Sequence, residues 1–233
     1  LDGEGSIGIY ADNNNTSVGT IGAQVLNQSG IIVGDSNDSA TSVGIYGKKA
    51  QIYNDSRITV GSGDVAIYAT EGSEVAELGS LKLGSDGIGV MLDETSKITA
   101  SSITLDATVT STGQIGIYYN GDSTSTSTIS IAIDISDLEE GTAIYAKNKD
   151  ITSSGTLTIG KKGIGIVADG KNGTNDGTIT LHQTNGVNAI GMYTKNSEIV
   201  NSISKNINLE GNSQIGMYAE GSISKVQILE ILI

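Results

Sequence analysis

Apolar and polar positions alternate along this chain in short bursts, and one burst recurs nine times. It reads Ile7-Gly8-Ile9-Tyr10-Ala11, Val43-Gly44-Ile45-Tyr46-Gly47 and Val65-Ala66-Ile67-Tyr68-Ala69 in its first three appearances. It continues as Ile88-Gly89-Val90-Met91-Leu92, Ile115-Gly116-Ile117-Tyr118-Tyr119 and Thr142-Ala143-Ile144-Tyr145-Ala146. The last three are Ile164-Gly165-Ile166-Val167-Ala168, Ile190-Gly191-Met192-Tyr193-Thr194 and Ile215-Gly216-Met217-Tyr218-Ala219. After a first interval of 36 residues, every interval is 22 to 27. The alternation has a period of two, which is strand periodicity, whereas a helix fits poorly because glycine recurs in mid-phrase. Alternation predicts Ile7, Ile9 and Ala11 on a buried face, with Gly8 and Tyr10 on the opposite one.

Each repeat holds a second alternating phrase, as in Ile58-Thr59-Val60, Leu81-Lys82-Leu83, Ile103-Thr104-Leu105, Leu157-Thr158-Ile159, Ile179-Thr180-Leu181 and Ile207-Asn208-Leu209. A weaker third segment follows the tyrosine phrase, at Gln51-Ile52-Tyr53-Asn54, Glu74-Val75-Ala76 and Glu198-Ile199-Val200. Turn formers such as Gly61-Ser62-Gly63-Asp64 and Gly84-Ser85-Asp86-Gly87 separate the segments. Self-similarity at this period marks a solenoid, in which a repeat buries its apolar face only against its neighbours. The fold class expected is all-β: a right-handed parallel β-helix of about nine coils, each of 22–27 residues with three short strands. Residues 1–233 read as a single β-helical segment, with side loops at Asp12 to Thr20, Gly34 to Thr41, Gly121 to Thr128 and Gly170 to Gly177. The long first interval leaves room for an extra corner around Val18 to Ala23.

Composition sharpens this picture. The chain has no proline, where average usage would give about 5%. In stacked coils each N–H donates to a neighbouring coil, and proline cannot. The absence of Phe and Trp suits a narrow interior of Ile, Val, Leu and Ala. Cysteine is absent too, which removes disulfides, thiolate metal sites and thiol nucleophiles. A net charge of −13 argues against nucleic acid as a partner and against anionic membrane surfaces. No apolar run approaches eighteen residues, so direct membrane insertion by a helix in this segment is not expected.

The Gly-Ile-Tyr-Ala phrases, the Pro- and Cys-free composition and the Ser/Thr/Asn/Gly corners resemble the passenger domains of type V autotransporters, closest to adhesin-like passengers related to vacuolating-cytotoxin autotransporters. The resemblance covers the whole chain. It implies a segment of a longer passenger displayed outside a Gram-negative cell, with a C-terminal translocator barrel elsewhere in the full-length protein. The implied partners are host or bacterial cell-surface proteins or glycans. It is specific for architecture rather than activity, since such passengers include adhesins, toxins and enzymes.

The candidate interaction face is the row Tyr10, Tyr46, Tyr68, Tyr118, Tyr145, Tyr193 and Tyr218, interrupted by Met91 and Val167. One reading has each ring cover the neighbouring glycine and stack on the next ring. The other has an exposed aromatic strip bind glycans or proteins, and the two are compatible. No catalytic, cofactor-binding or metal-ligating residues are assigned, and no cofactor is expected. Asp64 and Asp86 on successive coils could flank a glycosidic bond, but each precedes a strand in a Gly-rich corner and reads better as a turn residue. Gly34-Asp35-Ser36 and Gly121-Asp122-Ser123 begin like a serine nucleophile motif without its closing glycine, and His182 is the sole histidine. Asp12 to Asn15 and Asp35 to Asp38 offer oxygen ligands without the spacing of a calcium loop. The reading is therefore a non-enzymatic stalk or adhesin, with an oligomerising toxin segment as the alternative and a polysaccharide lyase or hydrolase behind both.

Overall fold

Each recurrent phrase forms a six-residue strand, and in the computed structural model these strands stack in parallel without interruption. The structure describes residues 5–13, 22–34, 40–107, 111–121, 126–182 and 187–229. The first face is a nine-stranded sheet of Ile7–Asp12, Val43–Lys48, Val65–Thr70, Ile88–Asp93, Ile115–Asn120, Thr142–Lys147, Ile164–Asp169, Ile190–Lys195 and Ile215–Glu220. The third face is an eight-stranded sheet from Ile31–Ile32 to Asn206–Leu209, built from the second phrase. The second face, from the weak third segment, is split. Ala23–Asn27, Ala50–Asn54, Glu74–Leu78 and Lys97–Ile98 form one sheet. Ser127–Ile129, Ile151–Ser153, Gly173–Asn175, Glu198–Asn201 and Lys225–Ile228 form another. The chain is thus an all-β parallel solenoid of about eight turns, in four parallel sheets, with no helix among the described residues.

Left-handed backbone makes two of the corners. Leaving the first face, Lys49, Glu71, Asn148, Gly170, Asn196 and Gly221 have positive φ immediately after the strand. Entering it, Gly63, Asp86, Gly113, Glu140, Lys162, Asn188 and Ser213 do so two residues before the strand. Only some of these are glycine, so the array absorbs a local cost of roughly 1–2 kcal/mol at each of the others. Stacked neighbours offset it: Lys162 contacts Glu139 at 3.2 Å and Glu140 at 2.8 Å across the same corner.

The inner surface corrects the simple alternation. Ile9, Ile45, Ile67, Val90, Ile117, Ile144, Ile166 and Met192 point inward as expected, with Ala11, Ala69, Ala146 and Ala168 two residues later. The small residue at the second position also faces in: Ala66 and Ala143 are fully buried within the core cluster, whereas Val43 and Val65 at the first position are buried outside it. A Cβ on Gly44 would meet Ile58 Cγ2 at 2.7 Å, and one on Gly191 would meet Ile207 Cγ2 at 2.7 Å. The third face presses so closely on this position that only glycine or alanine fits. The strand register skips it at every step, passing from Ile7↔Val43 to Ile9↔Ile45. The rings of the tyrosine row therefore do not cover these glycines, which lie on the other side of the sheet.

Two further departures concern length. Gly170 to Gly177, expected as a loop, contains the strand Gly173–Asn175, and the segment Gly121 to Thr128 runs into Ser127–Ile129. The excess in the first interval falls between Asp12 and Ala23 and between Ile32 and Val43. The extra corner expected around Val18 lies outside the described residues, while Ala23 opens an ordinary second-face strand.

A seam crosses the rod between the fourth and fifth coils. The second-face sheet ending at Lys97–Ile98 does not continue into Ser127–Ile129. In the third face, Leu105 pairs back with Leu81 while Ile103 pairs forward with Ile133, so one strand splices two registers. Tyr119 enters the interior here, 1% exposed, where other coils hold alanine, leucine, glycine or threonine. Its hydroxyl donates to Ser96 O at 3.0 Å, and burial pushes its ionisation up to about 12. An interior tyrosine was not foreseen for a core read as purely aliphatic.

Candidate functional site

The outward surface of the first sheet carries three rows. The first position gives β-branched residues such as Ile88, Ile115, Ile164 and Ile190, half-buried along the edge. The fourth position gives the tyrosine row. The sixth gives Asp12, Lys48, Thr70, Asp93, Asn120, Lys147, Asp169, Lys195 and Glu220. All seven sequence-predicted tyrosines fall in one row, and the two interruptions divide them into three groups. Tyr10 stacks on Tyr46 at 5.1 Å, and Tyr46 meets Tyr68 edge-on at 5.5 Å. Beyond Met91, Tyr118 stacks on Tyr145 at 5.4 Å; beyond Val167, Tyr193 stacks on Tyr218 at 5.7 Å. Each contact is worth about 0.5–1.5 kcal/mol beyond the area it covers.

The sixth-position row anchors the ring hydroxyls. Tyr46 Oη lies 3.3 Å from Thr70 Oγ1. Tyr145 donates to Asp169 Oδ2 at 3.0 Å, and Tyr193 to Glu220 Oε2 at 2.7 Å. In each case the acceptor sits one coil further on, so the hydroxyl ties two coils together. Tyr10 donates within its own coil, to Asp12 Oδ2 at 3.2 Å. Desolvation first, and then the Asp169 carboxylate, push the Tyr145 hydroxyl up to about 12. For Tyr193 the hydrogen bond to Glu220 leads, and the value is again about 12.

At Val167 the row drops to an aliphatic side chain, and the surface dips into a cleft of about 310 Å³ lined by Thr142, Tyr145, Ile164, Val167, Asp169, Tyr193 and Lys195. No family model, no curated protein and no solved structure matches this chain. The chemistry of the face is therefore argued from its own side chains: aromatic walls, an aliphatic floor, one carboxylate and one ammonium group.

The other candidate residues resolve into corners. Asp64 is fully buried and accepts from Ser42 N at 2.8 Å and Gly61 N at 3.2 Å, while Asp86 occupies a left-handed corner. His182 continues the ladder through its backbone, donating from N to Ile159 O at 3.1 Å, just past the strand Thr178–Leu181. Residues 14 and 15, 35–38, 122 and 123 lie outside the described residues, and with them the Asp-Ser of both serine motifs, half of the first calcium candidate and all of the second.

Two features went unread in the sequence. Asn27 Nδ2 donates to Asn54 Oδ1 at 2.6 Å, and Asn175 Nδ2 to Asn201 Oδ1 at 2.7 Å, in buried steps that close the second-face strands. Asparagine recurring at strand ends, 27 and 26 residues apart, was the available signal. The second is a carboxyl pair on neighbouring coils. Glu77 lies within hydrogen-bonding reach of Asp55, which raises its pKa above the ordinary glutamate value, beside a cleft of about 290 Å³. The two carboxyls can share a proton, but they are closer than the roughly 5–9.5 Å at which a carboxylate pair works on a glycosidic bond.

Proposed function

We propose that this chain is a non-enzymatic segment of a surface-displayed autotransporter passenger. It acts as a stalk whose tyrosine-lined face contacts proteins or glycans on host or neighbouring cells. The observation that carries this reading is the outward face of the first sheet. Nine strands in register hold an aromatic row, an aliphatic row and a charged row along one side of a stiff rod. The end rings Tyr10 and Tyr218 are exposed and the five between them half-buried; surface aromatics suit recognition, and rigid rings bind at low entropic cost. The cysteine-free composition also fits export of an unfolded chain, which a prematurely formed disulfide would obstruct. In the full-length protein a translocator barrel would anchor the passenger at the outer membrane of a Gram-negative cell.

The test is saturable attachment of the purified segment to epithelial cells and to a glycan panel, beside a Tyr118→Ser, Tyr145→Ser, Tyr193→Ser variant. Attachment by the parent and its loss in a folded variant is the expected result. A folded parent that attaches to nothing overturns the adhesive role and leaves a spacer.

A further inference from the structure

The interruption of the tyrosine row at Val167 has no counterpart in the packing beneath it. On both sides of this coil the first face keeps its register through Tyr145↔Val167 and Val167↔Tyr193. The second face keeps it through Thr152↔Thr174 and Thr174↔Val200, and the third through Leu157↔Ile179 and Ile179↔Ile207. Val167 is 5% exposed and floors the cleft between Tyr145 and Tyr193, whose volume of about 310 Å³ is within the range of small-ligand sites. Rungs two coils apart are separated by about 10 Å, so a flat ring entering between these tyrosines lies about 5 Å from each. The stacked rings of the row already sit 5.1 to 5.7 Å apart.

We infer that this cleft binds one pyranose ring of a cell-surface glycan, held between Tyr145 and Tyr193. The inference deepens the adhesive reading and rests on it. The rim selects a sugar over other flat groups. Asp169 and Lys195 are adjacent in register, one able only to accept hydrogen bonds and the other only to donate. Neighbouring sugar hydroxyls do both and satisfy the pair, while the C–H faces of the ring rest on the two aromatic walls. A phenyl ring leaves Lys195 without a partner as it displaces its water, while Asp169 keeps only the bond from Tyr145. A nucleobase would bring phosphates to a chain of net charge −13.

The experiment uses methyl hexopyranosides and p-cresol as probes, read by saturation-transfer NMR on the folded segment. At least one hexopyranoside binds saturably to the parent. Val167→Tyr, which fills the cleft with a ring, weakens that binding tenfold or more, by the worth of two aromatic contacts. Lys195→Ala weakens it about tenfold or more through loss of one charged hydrogen bond, and serves as the second variant if Val167→Tyr folds poorly. Thr158→Ala, on the third face and remote from the cleft, leaves it unchanged. Binding of p-cresol without any sugar overturns the inference in favour of an aromatic side chain, and sugar binding indifferent to both cleft substitutions overturns it outright. A parent that attaches to cells but ignores every sugar sinks the pyranose and leaves the adhesive reading standing; one that binds neither sinks both.

Discussion

The tyrosine row breaks twice, and the two breaks have different surroundings. Met91 lies in the fourth coil, where the second face ends and the third face splices two registers. The fold changes on every side of it except the first sheet, and the interior immediately beyond is refilled by Tyr119. Val167 lies in the seventh coil, where all three faces run straight through. A lost rung at a seam follows from packing. A lost rung in a regular stretch, opening a walled cleft, calls for an explanation at the surface. The comparison therefore separates an interruption that coincides with a change in the architecture from one that does not.

The comparison can be broken from the inside first. Ile117→Asp places a carboxylate on the fully buried row of the fifth coil, and burying an unpaired charge should cost more than about 4 kcal/mol. In a stacked array the damage stays near the substitution, so circular dichroism melts should show a separate early transition, absent in the parent. Ile9→Asp, at the less buried first coil, should do less. Tyr119→Ala empties the seam and removes the bond to Ser96 O, at an expected cost of about 3–5 kcal/mol. An unchanged melt would mean that the seam does not depend on this ring.

Surface substitutions sharpen the contrast with smaller effects. Val167→Tyr joins Tyr145 to Tyr193 and should raise stability by about 1 kcal/mol while weakening sugar binding tenfold or more. Met91→Tyr should leave binding as in the parent. A pH titration gives the finest discrimination. Tyr119, Tyr145 and Tyr193 all ionise near 12 in the folded chain, above the ordinary tyrosine value of 10.0. A raised folded pKa supplies stability that is complete below the unfolded value and is lost as pH climbs from about 10 through 12. Glu220→Gln removes the leading cause of the Tyr193 shift and should return it toward the ordinary value, while Tyr119, held by burial, stays put. Tyrosinate absorbance against pH checks both.

The architecture was legible because a solenoid writes its fold nine times. A period of 22 to 27 residues with three alternating segments leaves few other solutions. The tyrosine row was legible for the same reason. The inward glycines were not, because strict alternation sends position two outward, and only the approach of Ile58 or Ile207 from the opposite face shows why the strand bends there. The seam was invisible because it changes pairing partners rather than composition: Lys97-Ile98 reads like any other weak segment. The strand in Gly173–Asn175 was taken for a loop because its residues are poor strand formers, and neighbours on both sides override that preference. Val167 could be seen as an exception in the row, but the depth of the cleft and its paired rim needed coordinates.

The seam also has a mechanical meaning. The ladders run along the rod, so a pull on its ends stretches every coil junction in series, with the faces sharing the load at each. Among the described residues, the second face has no ladder between the fourth and fifth coils, and the third pairs through Ser102 to Thr104. Under tension this junction should yield first, so the rod has a built-in fuse between its fourth and fifth coils.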